Sequence, residues 1–289
     1  MPTELMRGEP VAVEIRAGVI KRVRDLADRG VVPTLATVLM SDDPDDERFV
    51  ELKHAACDEV GIEIRDVRLD PDEPSTRLRR ALDRLSADPE VDAVFVQAPL
   101  PAHVARTDLR RRLHPHKDVD CFHPETLGRL VLGDPRFVPA TPAAVQRLLA
   151  ASEVRVEGAD VVIVGRSTVI GKPLANLLLR NTTGGNATVT VCHSRTEDLA
   201  AKTRRADVVV TACGVPELVD GSMLSSGVTV VDVSANRRVT DDGVEVVGDV
   251  EFESAKERAG AITPVPGGVG PVTIASLLEN VVLAAERQN

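Results

Sequence analysis

The sequence predicts an α/β protein of two domains around a cleft, and three observations carry that expectation. Short apolar runs of strand length alternate with amphipathic helical stretches almost throughout the 289 residues. The alternation halts and restarts near residue 140, with Pro139 and Pro142 flanking the break. Beyond it, residues 158–173 read as a buried strand, a glycine-bearing turn and a helix. That arrangement offers backbone N–H groups and a helix N-terminus to a pyrophosphate.

In chain order, a helix is expected over 11–29, then a strand at Thr34–Leu39 (TLATVL). A helix over 45–60 follows Ser41-Asp-Asp-Pro44, and a strand over 62–67 (IEIRDV) comes next. A helix over 75–86 leads into the apolar strand 93–97, which ends in Gln97. The second series opens with a helix over 142–151, where Pro142 suits the first turn. Strands at Asp160–Val164, Thr188–Cys192, 207–211 and 229–233 are valine-rich, as strands buried on both faces must be. Helices at 172–180, 197–205 and 223–225 separate them. Ile274, Leu277, Leu278, Val281, Val282 and Ala285 give the last segment, 273–287, an amphipathic helical spacing. The domains are therefore placed at 1–140 and 141–272, with the helix 273–289 packing back on the first.

Composition narrows the function classes. Hydrophobic content of 43% with 28% charged residues describes a soluble globular protein. A net charge of −10 argues against a nucleic-acid surface and fits either plain solubility or adaptation to high salt. No run of 18 apolar residues predicts a membrane span, and MPTELMRGEP lacks a signal-peptide pattern, so the cytoplasm is the expected location. Cys57, Cys121, Cys192 and Cys213 form no CxxC pair, so no metal site is expected.

Residues 264–271, Pro-Val-Pro-Gly-Gly-Val-Gly-Pro, form the densest signal. Three glycines and three prolines are incompatible with a helix interior or a central strand. A stiff loop feeding a helix suits a flat or anionic ligand. In the second domain, Gly165 and Gly171 are separated by five residues and so depart from GxGxxG. The strand ending at Cys192 continues His-Ser-Arg-Thr, basic where NAD sites usually hold an acid. With Arg166 in the preceding loop, Arg195 favours the extra phosphate of NADP, the alternative being a solvated surface arginine. In the first domain, Gln97 ends a strand and offers both a donor and an acceptor. Asp120, in Lys117-Asp-Val-Asp120, suits bidentate pairing with a protonated heterocycle; capping or a surface ion pair is the alternative. Lys53 lies four residues after Phe49 on one helix face, where a shielded lysine gains acid/base capacity. In isolation it reads as a surface lysine.

Together, VGRSTVIGKP, ATVTVCHSRT, KDVD, GDV at 248–250 and TPVPGGVGP resemble the bifunctional methylenetetrahydrofolate dehydrogenase/methenyltetrahydrofolate cyclohydrolase family. The similarity begins at Arg7-Gly-Glu-Pro-Val-Ala12 and covers essentially the whole chain. It implies an N-terminal folate-binding domain, a C-terminal Rossmann-type NADP-binding domain, and a homodimer. By motif match it makes Lys53, Gln97 and Asp120 catalytic and Asp120 the pterin anchor. Phe49, Val96, Ala98, Pro266, Gly267, Gly268, Val269 and Gly270 would bind substrate. Gly165, Arg166, Ser167, Gly171, Pro173, Ser194, Arg195 and Ala235 would bind NADP. The chain departs from the family at Phe49 (usually tyrosine), Asp46 (serine), Ala98 (leucine), Cys121 (glycine), Ser234-Ala235 (glycine-isoleucine) and Val272 (methionine). These bear on cyclohydrolase efficiency and cofactor affinity. The implied activity is NADP-dependent oxidation of methylenetetrahydrofolate followed by hydrolysis to 10-formyltetrahydrofolate. A dehydrogenase with weak cyclohydrolase activity and a non-catalytic folate- or NADP-binding paralogue are the alternatives.

Overall fold

Parallel pairing dominates, as strands joined through helices require. In the computed structural model, which describes residues 2–104, 109–240 and 243–289, the chain divides into two units.

One unit comprises Val13–Ala140 and Ile274–Asn289. Its sheet has the order β3-β2-β4, all parallel, from β2 (Thr34–Leu39), β3 (Glu63–Arg68) and β4 (Ala93–Val96). The crossovers are α2 (Pro44–Val60) and α3 (Ser75–Ala87); α1 (Gly8–Ala27) precedes them and α4 (Pro124–Val131) follows. Helix α2 starts where Asp43 accepts a hydrogen bond from the Asp45 N–H, 2.8 Å, with Pro44 in the first turn. It stops at Gly61, whose φ of 82° is the left-handed conformation glycine adopts freely. Lys117 closes α3 by donating to the Leu85 carbonyl, 3.2 Å, and to that of Asp88. A cation there also meets the negative end of the helix.

The last helix, α9 after the intervening elements, spans Val269–Gln288. Its Leu277, Leu278, Val281, Val282, Ala284 and Ala285 are buried with Val19, Leu26, Leu35 and Phe137. At about 1.5–3 kcal/mol per buried large aliphatic side chain, this contact is a main support of the three-stranded unit. By length and composition α9 would also pass as a membrane span, but 61% of that stretch is buried inside the fold. Its apolarity is that of a core helix.

The other unit comprises Met1–Ala12 and Thr141–Thr273. Its strands are β1 (Glu4–Leu5), β5 (Asp160–Val164), β6 (Thr188–Cys192), β7 (Val208–Thr211), β8 (Thr229–Asp232) and β11 (Ala261–Ile262). They run parallel in the order β1-β11-β8-β7-β5-β6. Helices α5 (Ala140–Ala151), α6 (Gly171–Leu179), α7 (Leu199–Thr203) and α8 (Phe252–Arg258) accompany them. An antiparallel hairpin, β9 (Asn236–Thr240) with β10 (Gly243–Val247), follows β8.

Three expectations need correction. The first twelve residues, placed with the first domain, pair through β1 with β11 and belong to the six-stranded unit. Residues 223–225 are not a helix; a single 3₁₀ turn at Gly221–Met223 stands there, because three residues cannot sustain α-helical pairing. The glycine–proline string does enter a helix, since α9 begins at Val269 and takes in Gly270 and Pro271. A proline is tolerated there because first-turn N–H groups have no intrahelical partner.

Candidate functional site

In the three-stranded unit, Lys53 and Asp46 of one helix meet Gln97, which lies 44 residues beyond the lysine. Helix α2 carries Asp46, Phe49 and Lys53 along one side, at spacings of three and four residues. Strand β4 delivers Gln97, whose backbone N–H donates to the Val38 carbonyl at 2.9 Å. Lys53 Nζ donates to Gln97 Oε1 at 3.2 Å and to the Phe49 carbonyl at 3.1 Å. Gln97 Nε2 donates to Asp46 Oδ1 at 3.1 Å and to the Ala98 carbonyl at 2.9 Å. With both amide hydrogens held there, the amide oxygen is turned towards the lysine. Asp46 is steadied in turn by the Ser41 hydroxyl, 2.7 Å.

All three side chains of this relay are buried, with Lys53 only 7% exposed. Its ammonium lies 4.7 Å from the centroid of Phe95 and 5.7 Å from that of Phe49. Burial lowers the lysine to about 8, opposed by the charges of Asp120 and Asp46. Phe49 itself is 42% exposed, a ring open on one side. Val96 is half-buried and Ala98 exposed.

Asp120 reaches the same region by a second route. Val94 N–H donates to the Lys117 carbonyl at 2.8 Å, and Val94 and Asp118 form a parallel bridge. The Lys-Asp-Val-Asp segment therefore runs along β4 and carries Asp120 towards the strand end that holds Gln97. Burial raises Asp120 to about 6, while the Ala140 N–H, 3.0 Å from Oδ1, and the nearby Lys53 pull it back. The side chain keeps a partly exposed edge. Asp118 is the structural carboxylate of the pair. It is fully buried and accepts from the backbone of Phe122 and His123, each 2.7 Å, and from the Thr126 hydroxyl. Asn280, which the sequence reading passed over, donates from α9 to the carbonyls of Val119 and Val138, both at 2.8 Å, and pins the segment carrying Asp120.

In the six-stranded unit, Gly165 follows β5 with φ of 141°. A Cβ added there would lie 2.3 Å from the Ala212 carbonyl oxygen, and one added at Gly171 would lie 2.1 Å from that of Gly165. The two glycines thus make the close turn-to-helix approach that GxGxxG makes with tighter spacing. Ser167 Oγ accepts from Ile170 N–H at 3.0 Å, shaping the turn, and Pro173 is buried in the first turn of α6. Arg166 and Ser167 are exposed. On the neighbouring strand end, Thr196 and His193 close a turn whose tip presents Ser194 and Arg195, both exposed. Ala235 is exposed beyond β8. A cradle that any Cβ would fill, beside two exposed guanidinium groups, fits a dinucleotide carrying an additional phosphate.

Pro266 to Gly270 belong to this second unit as well. Gly8 N–H donates to the Gly267 carbonyl at 2.8 Å, and a Cβ at Gly8 would collide with the Gly268 oxygen at 1.9 Å. Pro266, Gly267 and Gly270 are exposed, whereas Gly268 and Val269 are buried.

Comparison with known proteins divides the chain near the same residue, 140, but along continuous sequence, so the last helix falls with the second match and residues 6–12 with the first. Residues 6–120 match the family model for the tetrahydrofolate dehydrogenase/cyclohydrolase catalytic domain, and residues 139–289 match that for its NAD(P)-binding domain. The bifunctional protein FolD of Natronomonas pharaonis is 56% identical over 288 residues, covering 99% of this chain and 97% of its own. That of Haloquadratum walsbyi is 53% identical over 282 residues, covering 98% of this chain and 91% of its own. Among solved structures, the methylenetetrahydrofolate dehydrogenase-cyclohydrolase of Trypanosoma brucei, complexed with NADP cofactor and inhibitor, superposes with a TM-score of 0.93 at 36% identity, covering 99% of both chains. The FolD enzyme of Campylobacter jejuni gives 0.92 at 38% identity, covering 99% of this chain and 100% of its own.

Proposed function

The chain belongs to the tetrahydrofolate dehydrogenase/cyclohydrolase family, and from that premise we propose how its residues divide the work. It oxidises 5,10-methylenetetrahydrofolate with NADP and hydrolyses the 5,10-methenyl product to 10-formyltetrahydrofolate, in one-carbon metabolism. Residues 13–140 with the last helix form the folate side; the six-stranded unit forms the cofactor side.

When bound, NADP takes up the hydride that leaves the methylene carbon. That carbon is flanked by two nitrogens whose lone pairs stabilise the resulting cation. The chain is therefore asked chiefly to align two rings for the first reaction. Asp120 anchors the pterin: its partly exposed carboxylate accepts from ring and exocyclic N–H groups, while the Ala140 N–H occupies Oδ1. The open ring of Phe49 covers a face of the substrate. Gly165, Arg166, Ser167, Gly171, Pro173, Ser194, Arg195 and Ala235 would hold the dinucleotide, with the two arginines suited to its 2′-phosphate.

Lys53 serves the hydrolysis. In the ammonium form, two N–H groups are committed to Gln97 and Phe49, so one position faces the reaction. Near pH 8 that position exchanges a proton for a lone pair and can relay a proton to or from the attacking water. Gln97 fixes the direction of Nζ, and Asp46 fixes Gln97. The Lys53–Gln97–Asp46 relay with Asp120 beside it is the observation that carries this assignment. A homodimer in the cytoplasm completes the reading.

A time course with methylenetetrahydrofolate and NADP, following reduced cofactor and methenyl product together, tests it. NADPH should form without methenyl accumulation. Accumulation beyond its uncatalysed loss would remove the hydrolytic role from Lys53, and absence of NADPH would overturn the assignment. The dimer is checked by light scattering, which should give twice the chain mass.

A further inference from the structure

The Gly248-Asp249-Val250 motif is untouched by that division of labour, yet the Asp249 carboxylate accepts six hydrogen bonds. Asp249 is fully buried. One oxygen accepts from the N–H of Cys213 (2.7 Å) and Gly214 (3.2 Å), the Cys213 thiol (3.2 Å) and the Ser234 hydroxyl (2.7 Å). The other accepts from the Val215 N–H (2.8 Å) and the Asn236 amide (3.0 Å). A second carboxylate, Asp232, holds the motif from below. It accepts from the Val250 N–H at 2.8 Å, from the Thr211 hydroxyl at 3.0 Å and from the Ser234 N–H at 3.2 Å. A Cβ at Gly248 would lie 1.8 Å from Asp232 Oδ2, which explains the glycine.

The donors to Asp249 come from two segments, the loop 212–215 after β7 and residues 234–236, which lead from β8 into β9. Both leave the carboxyl ends of parallel strands, where open α/β sheets bind ligands. The first loop also supports the glycine turn, since the Ala212 carbonyl oxygen occupies the space a Gly165 side chain would need. A continuous set of contacts therefore runs from Asp249 through Cys213 and Ala212 to Gly165 and on to Gly171.

We propose that Asp249 is a positioning residue for NADP: its carboxylate ties the loops after β7 and β8 together and, through Ala212, sets the glycine turn against which the dinucleotide lies. The inference rests on the cofactor assignment above and not on the folate assignment. Fully buried, with both oxygens bonded within the protein, Asp249 would act through the loops and not by direct contact. Replacing it leaves several buried donors with no acceptor, so the two loops separate and the cradle is lost.

The test uses the full-length chain as Asp249→Asn, Ser234→Ala and Ser234→Thr. It measures NADP binding by calorimetry, KM for NADP, and hydrolysis of methenyltetrahydrofolate without cofactor. Asp249→Asn should weaken NADP binding by at least roughly tenfold, the scale of one or two orphaned buried hydrogen bonds, with hydrolysis unchanged. Ser234→Ala, which keeps the carboxylate and removes one donor, should weaken it by roughly threefold, and Ser234→Thr should restore it. Should Asp249→Asn fail to fold, the serine pair decides alone. Unchanged NADP affinity in Ser234→Ala, or loss of hydrolysis in step with affinity, would overturn the proposal in favour of a purely structural motif. Because NADP binding is read directly, failure of the folate assignment leaves this result intact.

Discussion

At the scale of single residues, the cation at Lys53 is held at a cost. Its folded value of about 8 lies below the ordinary 10.5 because burial opposes the charge. The burial penalty is fully present below pH 8 and is relieved as pH rises from about 8 towards 10.5. Lys53→Met should therefore raise the melting temperature at pH 7, with the advantage shrinking above pH 9, while hydrolysis falls by roughly a hundredfold or more. The wild-type hydrolysis rate, corrected for the uncatalysed reaction, should climb along a limb centred near 8. A flat profile between pH 7 and 9 would remove the lysine from the proton transfer. Phe49 offers this lysine a carbonyl and a ring but no hydroxyl. Phe49→Tyr should thus raise hydrolysis more than hydride transfer, at little cost in stability because the ring is 42% exposed. Equal effects on both rates would count against that account. The spacing of Phe49 and Lys53 was legible because helical periodicity is local. The meeting of Lys53 with Gln97 could not be read from periodicity, since 44 residues and a parallel crossover separate them, and only the family resemblance implied that pairing. Asp46 stood out only as a departure from the family pattern; its grip on the Gln97 amide needed coordinates.

At the scale of elements, legibility followed burial and length. The valine-rich strands β5 to β8 and the long helices α2 and α3 declare themselves through strong periodicity or continuous apolarity. The two-residue strands β1 and β11 carry too few side chains to show any period, and β10, exposed along nearly all its length, has no buried face. Helix α9 was read from its apolar stripe, but that stripe hides a polar residue with a specific task. Asn280 is 7% exposed and bonds the loop carbonyls of Val119 and Val138. Asn280→Leu keeps the bulk and leaves both acceptors dry, at a cost of about 1–3 kcal/mol. Since Val119 adjoins Asp120, the same change should raise KM for the folate substrate while NADP binding, which belongs to the other unit, stays constant. Denaturant titration beside the two KM values checks this. Equal weakening of both ligands would show that the helix supports the fold generally and not the anchor.

At the scale of the whole molecule, the acidic excess sets how stability answers to salt and pH. A net charge of −10 at pH 7 makes the chain repel itself, and screening by salt relieves that repulsion. Salt also weakens the ion pairs, but, apart from the partly buried Arg22 with Glu286, most of those among the described residues, such as Arg65 with Glu90 and Arg77 with Glu73, lie at the surface. Such pairs contribute at most about 1 kcal/mol each. Relief of repulsion should therefore win, and the melting temperature should rise as KCl increases from roughly 0.05 M to 1 M, where the Debye length shrinks to about 3 Å. Protonation acts in the same direction. Asp120 and Asp232 are both raised to about 6 by burial, so each favours the folded state once protonated, and that contribution fades as pH rises from 3.8 through 6. Asp249 and Glu286 are lowered instead, so their contribution is lost only when pH falls below the usual carboxylate range. Stability in dilute buffer should accordingly be higher at pH 6 than at pH 8, and added KCl should help more at pH 8, where the repulsion is greater. A melting temperature that falls with KCl at pH 8 would mean that the surface ion pairs outweigh the excess charge. One that rises equally at both pH values would point to salt acting through hydrophobic burial and not through screening.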